Sequence, residues 1–368
     1  MNARRPLFAT LRGVAALCLL AGAARAQNVT TDPVGAITLT LKGASDTLIS
    51  LPFHRPVALE TQAQNVSGNV ISISSSASAN ITGNEFVYVS GTQSNTYYVQ
   101  FTSGNRSGWY YSVTANTPTT ITVNPNGDTG LAGNVNTGDT FRVIPYWTLN
   151  TLFPNGQGTY PSTTGTPQSE ILVFPTTTAG INLSAASIYF YYNGTGFPVG
   201  WYSTLGAGAA DVTLPPDSSF IVRHPASTAD TQLTLVGNVP MSTQAIVVNN
   251  LQANTPQDNV IALPVPVSVT LGNSTLASVM TPSTTGSPAG ADELLVFDPT
   301  VVGQNKSASA IYFYYTGPGG PGWAKTDGTF PVDSSVIFQP GYGYILRRAA
   351  QSTPTSTAWT FTPPYLSN

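Results

Sequence analysis

Glycoside hydrolysis needs only two suitably placed carboxylates, and this chain repeats its acidic residues in matched company. Glu170 opens "EILVF" and Glu293 opens "ELLVF", while Asp217-Ser218-Ser219 has an echo in Asp333-Ser334-Ser335. Arg223 in "FIVR" and Arg347 in "YILR" occupy corresponding places and offer these acids charge partners. The pattern also has a plainer meaning. Each glutamate starts an apolar strand-like run, and an aspartate ahead of two serines closes a turn by binding its own backbone. Carboxylates carried on a repeated segment are inherited with it whatever they do. The six residues therefore read as structural, and no catalytic residue is assigned.

Aromatic platforms are the second source of chemistry. Trp201 and Trp323 each follow a glycine- and proline-rich loop (194–200 and 317–322), and Trp109 and Tyr110 follow the loop 103–108. Indole faces stack on the apolar faces of sugars, so these four residues are candidate ligand-binding positions with polysaccharide as the partner. The competing expectation is that each tryptophan closes the end of a core.

Other chemistries find little support. The two histidines, His54 and His224, stand beside prolines, and no Gly-X-Ser-X-Gly elbow accompanies them. With the single cysteine at Cys18, no zinc set can be assembled from sequence. "NPNGDTG" (124–130) places Asn124, Asn126 and Asp128 alternately, but the calcium-loop glycine and terminal acid are missing, and an Asn-Gly turn fits better. The glycine-rich loops are not followed by helical patterns, so they do not make a dinucleotide fingerprint. No metal and no cofactor is expected.

The elements that must carry these residues are strands. Short β-branched and aromatic runs alternate with Gly, Asn, Pro and Ser, and apolar residues nowhere keep helical spacing for long. In Ala36–Leu41, Ile37, Leu39 and Leu41 share one face and Thr38 and Thr40 the other. "TYYVQFTSGNRSGWYYSV" (96–113) reads as a hairpin within a small meander or barrel over residues 64–147. Residues 170–192 then align without gaps on 293–315, with 14 of 23 positions identical. The chain is accordingly expected to be all-β, a small N-terminal meander or barrel followed by a tandem duplication of a β-sandwich-like unit. The expected boundaries are 1–26 for an export signal, 27–150 for the N-terminal domain, 151–257 for the first copy and 258–368 for the second. "SIYFYY" and "AIYFYY", apolar on both faces, read as central strands.

The export signal rests on Arg4, Arg5 and Arg12 before the apolar run 13–23, with Ala24-Arg25-Ala26 at its end. Its removal would take four of 13 basic residues and none of 16 acidic ones, leaving a net charge of 9 − 16 = −7. A mildly acidic chain lacks the clustered Lys and Arg that phosphate backbones require, so no nucleic-acid partner is expected. No later run is long and apolar enough for a transmembrane helix. A cysteine-free mature chain points to a bacterial exported protein in the periplasm, on the outer surface or outside the cell.

Several stretches carry a resemblance: Thr31-Asp32-Pro33-Val34-Gly35, "DTLISLPFHRP" (46–56), "YYVQFTSG" (97–104), "GDTFRVIPYWTLNTLFP" (138–154), "NKSASAIYFYY" (305–315) and "PGYGYILRR" (340–348). In order and content they resemble an uncharacterised family of exported β-rich bacterial proteins with an N-terminal TDPVG element. The resemblance covers the mature chain and implies no activity, substrate or cofactor. The functional expectation is a non-catalytic structural or adhesive protein at the cell surface or in the extracellular matrix, with other surface proteins or polysaccharide as partners and self-association through strand edges. The alternatives are a carbohydrate-binding protein using the Trp-bearing loops and a glycoside hydrolase using the matched acids.

Overall fold

The computed structural model describes residues 32–74 and 81–366, so the expected signal and Cys18 lie outside the described residues. From Val34 onward the chain is one contact-dense body built of three parts. It is all-β, as the alternating pattern requires.

The first part, here unit 1, opens with β1 (Val34–Leu41) and β2 (Asp46–Ser50). The chain then leaves to build a closed six-stranded barrel from β3 (Leu59–Ser67), β4 (Val70–Ile73), β5 (Tyr97–Phe101), β6 (Tyr110–Asn116), β7 (Thr120–Asn124) and β8 (Thr140–Pro145). It returns to unit 1 with β9 (Trp147–Thr148), the short helix Leu149–Leu152, β10 (Glu170–Val173), β11 (Ser187–Tyr192), β12 (Gly200–Ser203), β13 (Thr213–Leu214), β14 (Ser219–Arg223) and β15 (Thr231–Asn238). Unit 2 runs without interruption through β16 (Gln244–Asn250), β17 (Gln257–Ala262), β18 (Val269–Thr270), β19 (Glu293–Val296), β20 (Ala310–Tyr315), β21 (Gly322–Lys325), β22 (Val336–Phe338), β23 (Gly343–Arg348) and β24 (Thr355–Phe361).

One pairing scheme occurs in both units. A five-stranded sheet has the order β2-β14-β10-β11-β12 in unit 1 and β17-β23-β19-β20-β21 in unit 2. A two-stranded ribbon, β1-β15 or β16-β24, lies over it, and a small bridge, β9-β13 or β18-β22, completes each set. The sheet and ribbon enclose the core. In unit 1, Leu39, Leu41, Leu233 and Leu235 of the ribbon meet Ile49, Ile171, Tyr191 and Phe220 of the sheet. In unit 2, Ile246, Val248 and Trp359 meet Ile261, Leu294, Tyr312 and Leu346. Alternation explains the arrangement, since Thr38 and Thr40 point outward and bond Thr234 and Gln232 across the ribbon. Burying each such Leu or Ile contributes about 1.5–3 kcal/mol.

Strand pairing corrects the expected boundaries. β1 and β2 lie before the barrel in sequence but pair with β15 and β14, so they belong to unit 1 and not to an N-terminal domain 27–150. β16 pairs with β24, so a boundary at 257/258 would sever β16 from unit 2 and cut through the start of β17. The barrel is an insertion between β2 and β9, and it separates strands whose contacts are formed only in space.

The two units meet where a residue faces its counterpart. Ser219 pairs with Ser50 as Gly343 pairs with Ala262, and a Cβ on Gly343 would stand 2.4 Å from the Ser219 hydroxyl oxygen. The site therefore holds one side chain, not two. Gly343→Ala is expected to lower stability by about 1–3 kcal/mol through overpacking. In a Ser219→Gly background the loss should shrink, and urea midpoints of the four chains of this cycle check it. Equal losses in both backgrounds would mean that the two positions do not share the space.

Candidate functional site

The matched arginines stand in the centre of two charged rows. Across neighbouring strands of unit 1, Glu170, Arg223 and Asp46 lie side by side; across unit 2, Glu293, Arg347 and Asp258 do the same. Arg223 clamps Asp46 with two bonds, Nε to Oδ1 at 2.7 Å and Nη2 to Oδ2 at 2.9 Å. Arg347 holds Asp258 identically, at 2.8 and 3.0 Å. A guanidinium fork matches a carboxylate in two places, which makes such pairs rigid as well as charged.

Each clamp grips the other unit. The β19–β20 connection brings Asn305, whose backbone N–H donates to Asp46 Oδ2 at 2.7 Å and whose amide oxygen accepts from Arg223 at 2.7 Å. The β10–β11 connection brings Asn182, which makes the same two bonds to Asp258 (2.8 Å) and Arg347 (3.0 Å). Asp46 N–H donates to Gly303 O at 3.0 Å, and Asp258 N–H to Gly180 O at 2.9 Å. Asn182 and Asn305 have φ of 53° and 52°, a left-handed turn that asparagine tolerates and that lets one residue present N–H and side chain together. The contact is isologous, as in a two-fold dimer, but lies within one chain.

Among the matched acids, Glu170 and Glu293 flank the clamps rather than sharing a cleft with each other. Burial raises the Glu293 carboxyl above the usual range while Arg347 opposes the rise. Asp217 and Asp333 do not match in the fold: Asp217 lies after β13 and directly before β14, whereas Asp333 lies before β22. Asp333 accepts the Trp323 backbone N–H at 3.2 Å. Asp217 receives the Tyr110 hydroxyl at 2.7 Å, docking the outer face of the barrel on unit 1 beside Tyr98 and Tyr146. Burial raises the Asp217 carboxyl, opposed by that hydrogen bond.

The aromatic positions are corrected too. Trp201 and Trp323 are 2% and 1% exposed, packed edge-on against Tyr191 and Tyr314, and present no face to a sugar. Each is carried inward by the period of its strand, which overrides the loop before it. Trp109 is half-buried, with the Arg106 guanidinium 4.5 Å over its ring. Tyr110 is held by Asp217. Asp128 of the 124–130 loop binds Arg106 and Tyr111. Asn126 and Gly127 both have positive φ, as the turn there requires.

One contact escaped the sequence altogether. Ser169 Oγ lies 2.7 Å from His224 Nδ1, the spacing of a nucleophile and its base, but His224 Nε2 meets the Thr231 hydroxyl at 2.8 Å and not a carboxylate. Both residues are buried, and burial brings the His224 imidazole down to about 4. The pair is a structural bridge. No group of three or more candidate metal ligands occurs among the described residues.

Two clefts adjoin these contacts. A cleft of about 420 Å³ lies between the units beside the Asp258 clamp. A wider groove of about 620 Å³ lies between barrel and unit 1, lined by Tyr88, Thr96, Tyr202 and Asp211, with Tyr88 39% exposed and bonded to Asp211 at 3.0 Å. No family model matches the chain, and no curated protein and no solved structure matches it.

The matched clamps predict matched losses. Asn182→Ala and Asn305→Ala should each lower stability by about 1–2 kcal/mol, and Arg347→Met, which leaves Asp258 unpaired, by about 3–5 kcal/mol; denaturant unfolding reads both. The titrations have opposite signs. An unfolded chain takes up a proton on His224 near its ordinary 6.5, before the fold does at about 4, so stability falls as pH drops through that window. Asp217 keeps its proton longer folded than unfolded, so its contribution declines as pH rises from the ordinary 3.8. Asp217→Asn should remove that decline and leave neutral-pH stability equal or higher. Melting temperatures across pH 3–8, roughly the span of these groups, test this.

Proposed function

We propose that this chain is an exported, non-catalytic β protein with a structural or adhesive role at the cell surface or in the extracellular matrix. The observation that carries the reading is the use of the matched polar residues. Asp46, Arg223 and Asn305, and their counterparts Asp258, Arg347 and Asn182, bind one another across the unit interface. Charges engaged in reciprocal clamps stiffen a two-unit scaffold and are not available to a substrate. The likeness of the two pairing schemes supports the origin of the units by duplication, and the TDPVG resemblance supports export.

Carbohydrate binding is the second reading, at the groove between barrel and unit 1, where Trp201 is a buried part of the lining and Tyr88 and Tyr202 are the more open rings. The groove with Tyr88 and Tyr202 combines aromatic rings with a carboxylate acceptor at Asp211, the mixture that glycan contacts use. A hydrolase acting through Glu170 or Glu293 has the weakest support, since each faces an arginine of its own unit.

The test uses residues 27–368 on isolated envelope of a producing bacterium and on a polysaccharide panel. Saturable retention on envelope, unchanged in Glu170→Gln and Glu293→Gln, and no release of reducing ends are the expected results. Retention on a polysaccharide that Tyr88→Ala/Tyr202→Ala abolishes would move the assignment to the second reading. Reducing ends that Glu293→Gln eliminates would overturn both.

A further inference from the structure

The cleft between the units is lined by both members of three matched pairs, each 123 positions apart: Phe174 and Phe297, Asn182 and Asn305, Leu183 and Lys306. Its walls therefore come from both halves of the chain, with Asp258 and Arg347 of the unit 2 clamp among them. Ile311 and Ile345 of the unit 2 sheet complete an apolar floor. At about 420 Å³ it falls within the range of small-molecule sites, which favour domain interfaces.

Two pairs agree in character and the third does not. Where unit 1 places Leu183, unit 2 places a cation. The Lys306 ammonium donates to Val301 O at 2.7 Å and to Asp298 O at 3.3 Å, both carbonyls of its own loop. An ammonium has three donors, so one is left. Among the described residues Lys306 makes no ion pair, while Asp258, the carboxylate lining the cleft, is already neutralised by Arg347. The charged lining residues thus sum to one positive charge, that of Lys306, which the nearby Asp46 and Asp298 carboxylates also attract.

We propose that this cleft binds a small amphipathic carboxylate, its apolar body between Phe174, Phe297, Ile311 and Ile345 and its carboxylate on Lys306. Charge complementarity selects an anion over a cation or a neutral chain, and the position across both units makes binding tighten the interface. The site is separate from the Tyr88 groove and does not depend on the surface role proposed above.

Calorimetric titration of residues 27–368 with decanoate below its micellar range tests this, with decyltrimethylammonium and decan-1-ol as charge controls. Saturable binding at one site per chain is expected for decanoate. It should weaken about 10-fold or more in Lys306→Gln and strengthen in Leu183→Lys, which supplies a second cation at the matched position. Both variants change side chains at the cleft rim, and circular dichroism confirms their fold. No saturable binding, equal affinity for the cationic chain, or an affinity that Lys306→Gln leaves unchanged would each overturn the proposal. Binding lost only in Tyr88→Ala would place the ligand in the other groove and overturn it equally.

Discussion

A carboxylate largely withdrawn from water must be met by donors, and Asp46 and Asp258 draw theirs from both halves of the molecule. Each takes a two-pronged guanidinium from its own unit and a backbone N–H from the opposite one. Withdrawing the opposite loop would leave the aspartate short of a donor and its arginine short of an acceptor at once, a costly state in a low-dielectric setting. The left-handed asparagines, the tight glycine and serine contact at the axis and the cleft beside it all follow from keeping these two clamps closed together.

The barrel is accommodated because its ends leave and rejoin unit 1 at one place. His54 bridges to Asn238 before the barrel begins, and after it ends the Trp147 indole N–H donates to Phe53 O at 2.9 Å. An insertion whose ends are close together adds little strain to its host, since loop closure grows only slowly with length. Tyr110 on Asp217 then fixes the barrel's outer face against unit 1.

Two halves on one chain can differ where two identical subunits cannot. Serine at 219 and glycine at 343 resolve a contact that two serines would overfill. Leucine at 183 and lysine at 306 give the shared cleft one charged and one apolar side. At the residues that close the clamps, aspartate, arginine and asparagine, the halves stay the same.

Alternation by itself determined the all-β class, the outward Thr38 and Thr40 and the double-faced aromatic strands, because a period of two is a local property of a pleated strand, while it left meander and barrel open for residues 64–147. Identity between 170–192 and 293–315 likewise made the two units legible, Asn182 and Asn305 included. Tertiary structure alone decided where unit 1 begins, since the barrel hides the kinship of "DTLIS" and "DNVIA", and therefore that Asp46 and Asp258 are the partners of the matched arginines. It also decided that Trp201 and Trp323 face inward and that Asp217 and Asp333 are not equivalent. A sequence records which residues recur, but hydrogen bonds between strands some 180 residues apart, such as Asp46 to Arg223, 177 positions on, depend on register in space.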